Sequence, residues 1–246
     1  MPTALLSVHN KTGLLEFATG LHNLGWSLLA SGGTARLLRD YQLPVTEVAT
    51  YTGSPEILGG RVKTLHPAVH GGLLARPTPE DAAELHALGW DYIDLVAVNL
   101  YPFEEITART DCTLADAIEN IDIGGVTLIR SAAKNHTRVT LVCDPSDYAP
   151  TLAALRTNSL SQEHRRALAI KGFALTTHYD SAIFSYLSGS EVLELRGYAG
   201  QSLRYGENPH QQAALFTYLP DEGPLGGHVL QGKELSYNNL LDLDAA

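Results

Sequence analysis

The run Ile93-Asp94-Leu95-Val96-Ala97-Val98-Asn99 is apolar almost throughout, and such a segment reads as a central strand of a parallel sheet, covered by helices on both faces. The rest of the chain supplies its partners. Residues 4–8 read as a buried strand, followed by Leu14, Phe17, Ala18, Leu21 and Leu24 at helical spacing. A second strand over 27–30 leads into a helix through Arg36, Leu37 and Leu38, and a third over 45–49 is followed by a short helix over 54–58. Further helices are expected over 79–88, over 113–120 with Leu114, Ala117 and Ile118 on one face, and over 126–135. A strand over 139–143 and helices over 146–155 and 162–187 follow. Five or six strands alternating with helices predict an α/β, doubly wound, mostly parallel sheet.

After Gly189 the texture changes. Residues 191–198 read as a strand, 204–211 are polar and rich in turn formers, and 230–246 look helical. So short a stretch cannot bury a core of its own. The expected division is therefore 1–189 as one domain and 190–246 as the start of an incomplete second α/β domain.

Charge narrows the partners. The chain holds 17 Lys+Arg against 27 Asp+Glu, a net charge of −10, whereas nucleic acid and anionic membranes select a basic face. Residues 1–8 have no basic n-region and are soon interrupted by His9, Asn10 and Lys11, and no apolar run approaches spanning length. Cys112 and Cys143 lack CxxC spacing and read as reduced core thiols of a cytoplasmic protein. His66 and His70 stand at i, i+4 without an intervening Glu pattern and among Pro and Gly, so no metal site is expected.

Against that acidic background, Ile57-Leu58-Gly59-Gly60-Arg61-Val62-Lys63-Thr64-Leu65-His66-Pro67 holds two cations, a hydroxyl and two glycines with no acid. Glycines permit close backbone approach, Arg61 offers a planar fork and Lys63 a point charge, which together suit an anion. Ser31-Gly32-Gly33-Thr34 follows a strand and opens a helix, so free backbone N–H groups and the positive helix end add a phosphate cradle. It is neither GxGxxG nor a P-loop, so dinucleotide and ATP sites have no support. Ser7, His9, Asn10 and Lys11 lie at the carboxyl end of the first strand, and Asn99 and Tyr101 at that of the central one, where open α/β sheets place ligands. Asp122, between two isoleucines and just before Gly124-Gly125, is expected to be partly buried, as a helix cap or a proton-transfer group.

Taken in order, SVHNKTG (7–13), ASGGTA (30–35), LGGRVKTLHPAVHGG (58–72), NLYPF (99–103), IDIGGVTLIRSAAKNH (121–136) and LRYGENPHQ (203–211) resemble the family of bifunctional purine-biosynthesis proteins that join AICAR formyltransferase to IMP cyclohydrolase. The resemblance implies a methylglyoxal-synthase-like fold for the first domain and closure of formyl-AICAR ribotide to IMP with loss of water. It makes Lys63, Tyr101, Asp122 and Lys134 the catalytic group. A 5′-phosphate is expected on Ser7, Lys11, Ser31, Gly33 and Thr34, with Arg61, Lys63 and Thr64 bordering the base. Asn99 and the Gly124 and Gly125 amides are expected to face the oxyanion. Lys63 is the expected proton acceptor if Arg61, Lys134 and partial burial favour its neutral form.

The resemblance also implies an incomplete AICAR site at Arg204, Tyr205 and Asn239, with 10-formyltetrahydrofolate as co-substrate. The Lys–His pair that serves formyl transfer is expected beyond Ala246, so that reaction is not expected of these residues. A homodimer is implied for the full-length protein; the cyclisation itself needs no cofactor or metal. Two other readings share the phosphate cradle: a non-catalytic nucleotide-sensing module of this fold, and methylglyoxal synthase. The first has no need of the four catalytic positions together, and the second does not account for GGRVKTLHP and AAKNH.

Overall fold

The computed structural model describes residues 1–189, 197–218, 223–228 and 230–246. The chain divides into two compact units, Met1–Ser190 and Glu191–Ala246.

In the first unit, β1 (Thr3–Ser7), α1 (Leu14–Asn23), β2 (Ser27–Ala30), α2 (Gly32–Asp40), β3 (Thr46–Glu47), α3 (Val48–Thr52), α4 (Pro67–Leu74) and α5 (Pro79–Ala87) precede the central β4 (Leu95–Val98). Then come α6 (Phe103–Thr107), α7 (Leu114–Glu119), α8 (Gly124–Lys134), β5 (Thr140–Val142), α9 (Tyr148–Arg156) and α10 (Gln162–Ser188). The five strands are all parallel and ordered β3-β2-β1-β4-β5. All four residues of β4 are buried, as its apolar run requires. Asp94, the acid within that run, accepts from Thr3 N at 2.9 Å and pairs with Arg138 at 3.2 Å, just before β4 begins.

Strand periodicity assigns the two faces. Ala4 and Leu6 of β1 join Leu14, Phe17, Leu21, Leu38, Tyr148 and Leu152 in one cluster, so α1, α2 and α9 cover that side. Leu5 between them faces Val48, Val69, Leu73, Leu128, Ile129 and Ala169 from α3, α4, α8 and α10. A doubly wound sheet results, as expected. A smaller cluster of Phe103, Ala117 and Tyr179 ties α6, α7 and α10 together.

Several local expectations are corrected. The third strand keeps only Thr46–Glu47, pairing with Leu29 and Ala30, because β2 ends there; Val48 instead starts α3 and enters the core at 1% exposure. No α-helix covers 54–58. Gly53 at φ 67 stops α3, and an isolated bridge from Ile57 to Val62 closes a turn with Leu58, Gly59 and Gly60 all at positive φ. On α7 only Ala117 is buried, while Leu114 and Ile118 are exposed. Residues 68–75, unassigned from sequence, lie mostly in α4, with Pro67 at its first turn. Cys112 and Cys143 are free and half-buried at the edges of the clusters, outside the fully buried core.

In the second unit, β6 (Tyr198–Leu203) and β7 (Ala213–Thr217) form an antiparallel hairpin with a register shift at Ala199–Gln201, and α11 (Tyr237–Ala245) ends the chain. The helix expected over 230–246 thus begins only at Tyr237. Of the strand expected over 191–198, residues 191–196 lie outside the described residues. No described helix is long and apolar enough to cross a membrane.

Candidate active site at the carboxyl edge of the sheet

The paired residues Ser7 and Val98, and Leu6 and Ala30, bring β1, β4 and β2 to an end at one edge of the sheet. The strand order reverses direction between β1 and β4, and such a switch point opens a crevice at the carboxyl ends. A cavity of about 580 Å³ lies there. It is lined by every expected cyclohydrolase-site residue except Lys134: Ser7, Lys11, Ser31, Gly33, Thr34, Arg61, Lys63, Thr64, Asn99, Tyr101, Asp122, Gly124 and Gly125.

The anion cradle forms where β2 runs into α2. Ser31, the residue before the helix, is extended and its side chain makes no capping bond, so the first amides of α2 face the cavity side without that partner. Two ammonium groups approach this turn. A Cβ placed on Gly33 would lie 3.9 Å from Lys11 Nζ, and one placed on Gly32 would lie 3.1 Å from Lys63 Nζ. Lys11 also donates to the His9 carbonyl at 3.2 Å, and Ser7 Oγ stands 3.5 Å from Ser31 Oγ. Lys63 reaches the cradle by passing over Gly60, whose φ of 91° suits glycine and where a Cβ would lie 2.8 Å from Lys63 Cε.

Two cavity residues, Thr34 and Asn99, are bonded to the scaffold. Thr34 is buried and its hydroxyl donates to the Val8 carbonyl at 3.2 Å while accepting from Val8 N at 3.3 Å, so its proton is committed to the residue that follows β1. Asn99 accepts from His9 N at 2.7 Å and Asn10 N at 2.9 Å, and donates to the Asn10 carbonyl at 2.9 Å. Its carboxamide locks the loop after β1 with one of its two Nδ2 hydrogens, so Asn99 serves the frame as well as lining the cavity.

A second wall carries the acid–base groups. Asp122 is half-buried, and burial pushes its carboxyl above the ordinary aspartate value; amide donors from Gly125 and Tyr101 and the neighbouring His9 act in the opposite direction. The Gly125 amide donates to Asp122 Oδ1 at 2.7 Å, so it too is taken. Asp122 thereby accepts from an amide in the first turn of α8 while keeping a carboxyl that can titrate. Tyr101 is exposed and meets the His9 ring edge-on at 5.3 Å. Thr64 is buried beneath the start of α8, 3.2 Å from where a Gly124 Cβ would sit.

The charges around Lys63 also differ from expectation. Its nearest ion-pair partner is Glu56 at 3.5 Å. Arg61 is engaged by Glu119 through both Nε and Nη2, a carboxylate that holds the guanidinium above its ordinary value and is itself held low. Lys134 is exposed in the last turn of α8. It stands ten residues past Gly124, about 15 Å along the axis of α8, and is not among the residues that line the cavity. The expected cationic company of Lys63 is replaced by an acid.

His9, placed from sequence at the carboxyl end of the first strand but given no role, lines the cavity, whereas Glu119 and Tyr179 were passed over. Glu119 and Tyr179 gave no local signal, since their partners lie 58 and 57 residues away. In the second unit, Arg204 is exposed and Tyr205 half-buried just after β6. Asn239 closes a capping box with Ser236 at the start of α11. Its Oδ1 therefore accepts from the Ser236 backbone at 3.2 Å.

Known proteins share this pattern. A model described as the MGS-like domain matches residues 13–127, and one described as the AICARFT/IMPCHase bienzyme matches 132–246. The bifunctional purine biosynthesis proteins PurH of Trichormus variabilis and Thermosynechococcus vestitus are each 55% identical over 99% of this chain, and that of Nostoc sp. is 54% identical. The chain spans about half the length of these relatives, 49–50%. A crystal structure of ForH, 39% identical, superposes with a TM-score of 0.69 over 78% of this chain and 100% of its own. With an MGS-like α/β domain in the first unit and this identity along its length, the chain belongs to the bifunctional PurH family of purine biosynthesis.

Proposed function

We propose that the cavity closes formyl-AICAR ribotide to IMP. The observation that carries this reading is that Lys11 and Lys63 converge on the open amino terminus of α2, while Asp122 and Tyr101 line the same cavity. A ribotide 5′-phosphate suits the first feature, because free amides and two ammonium groups oppose its charge. The second suits proton transfer. A C–N bond forms between the carboxamide nitrogen and the formyl carbon, the formyl C=O is lost as the formamide C–N becomes C=N, and one proton from each nitrogen leaves with the oxygen as water.

The carboxamide is a weak nucleophile and the departing oxygen a poor leaving group, so a group that takes one proton and supplies another is needed. Asp122 fits this task because burial moves its carboxyl toward the working pH range. Lys63, beside the cradle and Glu56, is assigned to charge stabilisation of phosphate or oxyanion in place of the proton acceptance first expected. Formyl transfer from 10-formyltetrahydrofolate, the AICAR contacts of Arg204, Tyr205 and Asn239, the homodimer and a cytoplasmic location belong, in this reading, to the whole bifunctional protein. Division of the chain at about residue 190 into a cyclohydrolase and part of a formyltransferase is part of the same proposal.

The test is the appearance of IMP absorbance from formyl-AICAR ribotide, with Lys63→Ala alongside. Turnover by the wild type and a loss of about 10²-fold or more in the variant are expected. A wild type that binds IMP without turnover would favour the nucleotide-sensing module.

A further inference from the structure

Asp122 owes its position to a residue outside the cavity. The chain reaches α8 through the bend Asn120-Ile121-Asp122, and the phenol of Tyr179, buried in the middle of α10, straddles that bend. Its oxygen accepts from Asp122 N at 2.8 Å and donates to the Asn120 carbonyl at 3.1 Å. Burial pushes the phenol up to about 12, so the donating proton stays in place across the pH range in which enzymes work. The ring packs edge-on against Phe103 at 6.1 Å, which fixes the direction of the hydroxyl. From there the bend is held at both of its ends by one atom, and Asp122 Oδ1 completes the turn onto Gly125 N.

We propose that Tyr179 is a positioning residue for the cyclisation, clamping the 120–122 bend so that the Asp122 carboxyl is held half-buried and aimed into the cavity. This rests on the proposed function for its catalytic meaning, but the clamp itself is measurable without turnover. Released from Tyr179, the bend would let water reach the carboxyl, weakening the burial that raises its proton affinity. Substrate anchoring at α2 would be untouched, so the loss falls on the chemical step rather than on binding.

The experiment compares Tyr179→Phe with Tyr186→Phe. Tyr186 packs on the same Phe103 ring at 5.7 Å from the same helix, and its hydroxyl bonds with Cys112. The expected result for Tyr179→Phe is a fall in kcat of about tenfold or more with KM within about threefold. Carbon NMR of the Asp122 carboxyl should show its titration moving down toward the ordinary aspartate value. Tyr186→Phe should leave both readouts at wild-type values. An unchanged Asp122 titration in folded Tyr179→Phe overturns the proposal, as does an equal effect from Tyr186→Phe. If the wild type does not cyclise formyl-AICAR ribotide, the proposed function fails, while the NMR titration still decides whether Tyr179 holds Asp122.

Discussion

Thr34 and Arg61 line one cavity, yet Thr34 is 3% exposed and bonded both ways to the Val8 backbone, whereas the Arg61 side chain is 65% exposed and held by a single carboxylate. The contrast extends to the walls they belong to. The wall of β1, β2 and α2 is a by-product of sheet formation: strand ends and a helix start must lie there once the register is set. The wall of residues 57–65 and 118–123 is built from a turn with three successive positive-φ residues, a short helix with exposed Leu114 and Ile118, and an exposed Ile123. Binding groups need a fixed frame, and the first wall gives one. Two residues of the second wall are exceptions: Thr64, which is buried, and Asp122, which α8 and Tyr179 anchor from behind.

Replacing Asp122 is the strongest way to test the second of these. Asp122→Asn keeps an oxygen for the Gly125 amide but cannot exchange a proton, so cyclisation should fall by about 10³-fold. Stability should move the other way. The folded-state carboxyl is raised above its unfolded value, so the stability that protonation contributes is present below the ordinary aspartate value and is lost as pH rises through the raised one. Above that window the wild type bears a buried charge that Asn lacks. The variant should therefore gain on the order of 1 kcal/mol at neutral pH, a few degrees in Tm, with the gain vanishing in acid. Thermal melts across pH check the sign; a variant less stable than wild type at neutral pH would mean that the amide bond needs the charge.

Thr34→Val examines the fixed wall. The side chain keeps its shape while Val8 loses one acceptor and one donor partner in a buried place, which costs about 1–3 kcal/mol. Denaturant unfolding measures it. Phosphate affinity should follow stability only weakly, since the Thr34 proton was never available to a ligand.

The two walls also differ in how far they could be read from sequence. The frame was legible wherever one element decides the outcome: the apolar run gave β4, and strand–SGGT–helix gave the cradle. It failed where two elements compete for a residue. Val48 looked like strand, but β2 has no partner left after Ala30, and the core takes Val48 through a helix. Ser54-Pro55-Glu56 looked like a helix start, but the bridge from Ile57 to Val62 prevails. At the site, residue types were legible and bond partners were not. Asn99 and Thr34 were rightly brought to the cavity, yet their hydrogen bonds go to backbone that only the fold brings near. Lys134 does not line the cavity that the other expected residues share, and a motif alone carries no distance that would have shown it.

The weakest expected effect sits on the open wall. The Arg61–Glu119 pair is exposed at both ends, so solvent screens it and Glu119→Gln should leave Tm within about 2 °C of wild type. Its consequence should appear in binding. Glu119 occupies the fork that is proposed to border the base, so an incoming ribotide must compete with it for Arg61. Removing the competing charge should lower KM by about two- to fivefold at low salt, and the difference should shrink in high salt as screening frees Arg61 in the wild type. A tenfold rise in KM would reverse the assignment, making Glu119 the support that holds Arg61 in place, and the open wall would then be as fixed as the one beside α2.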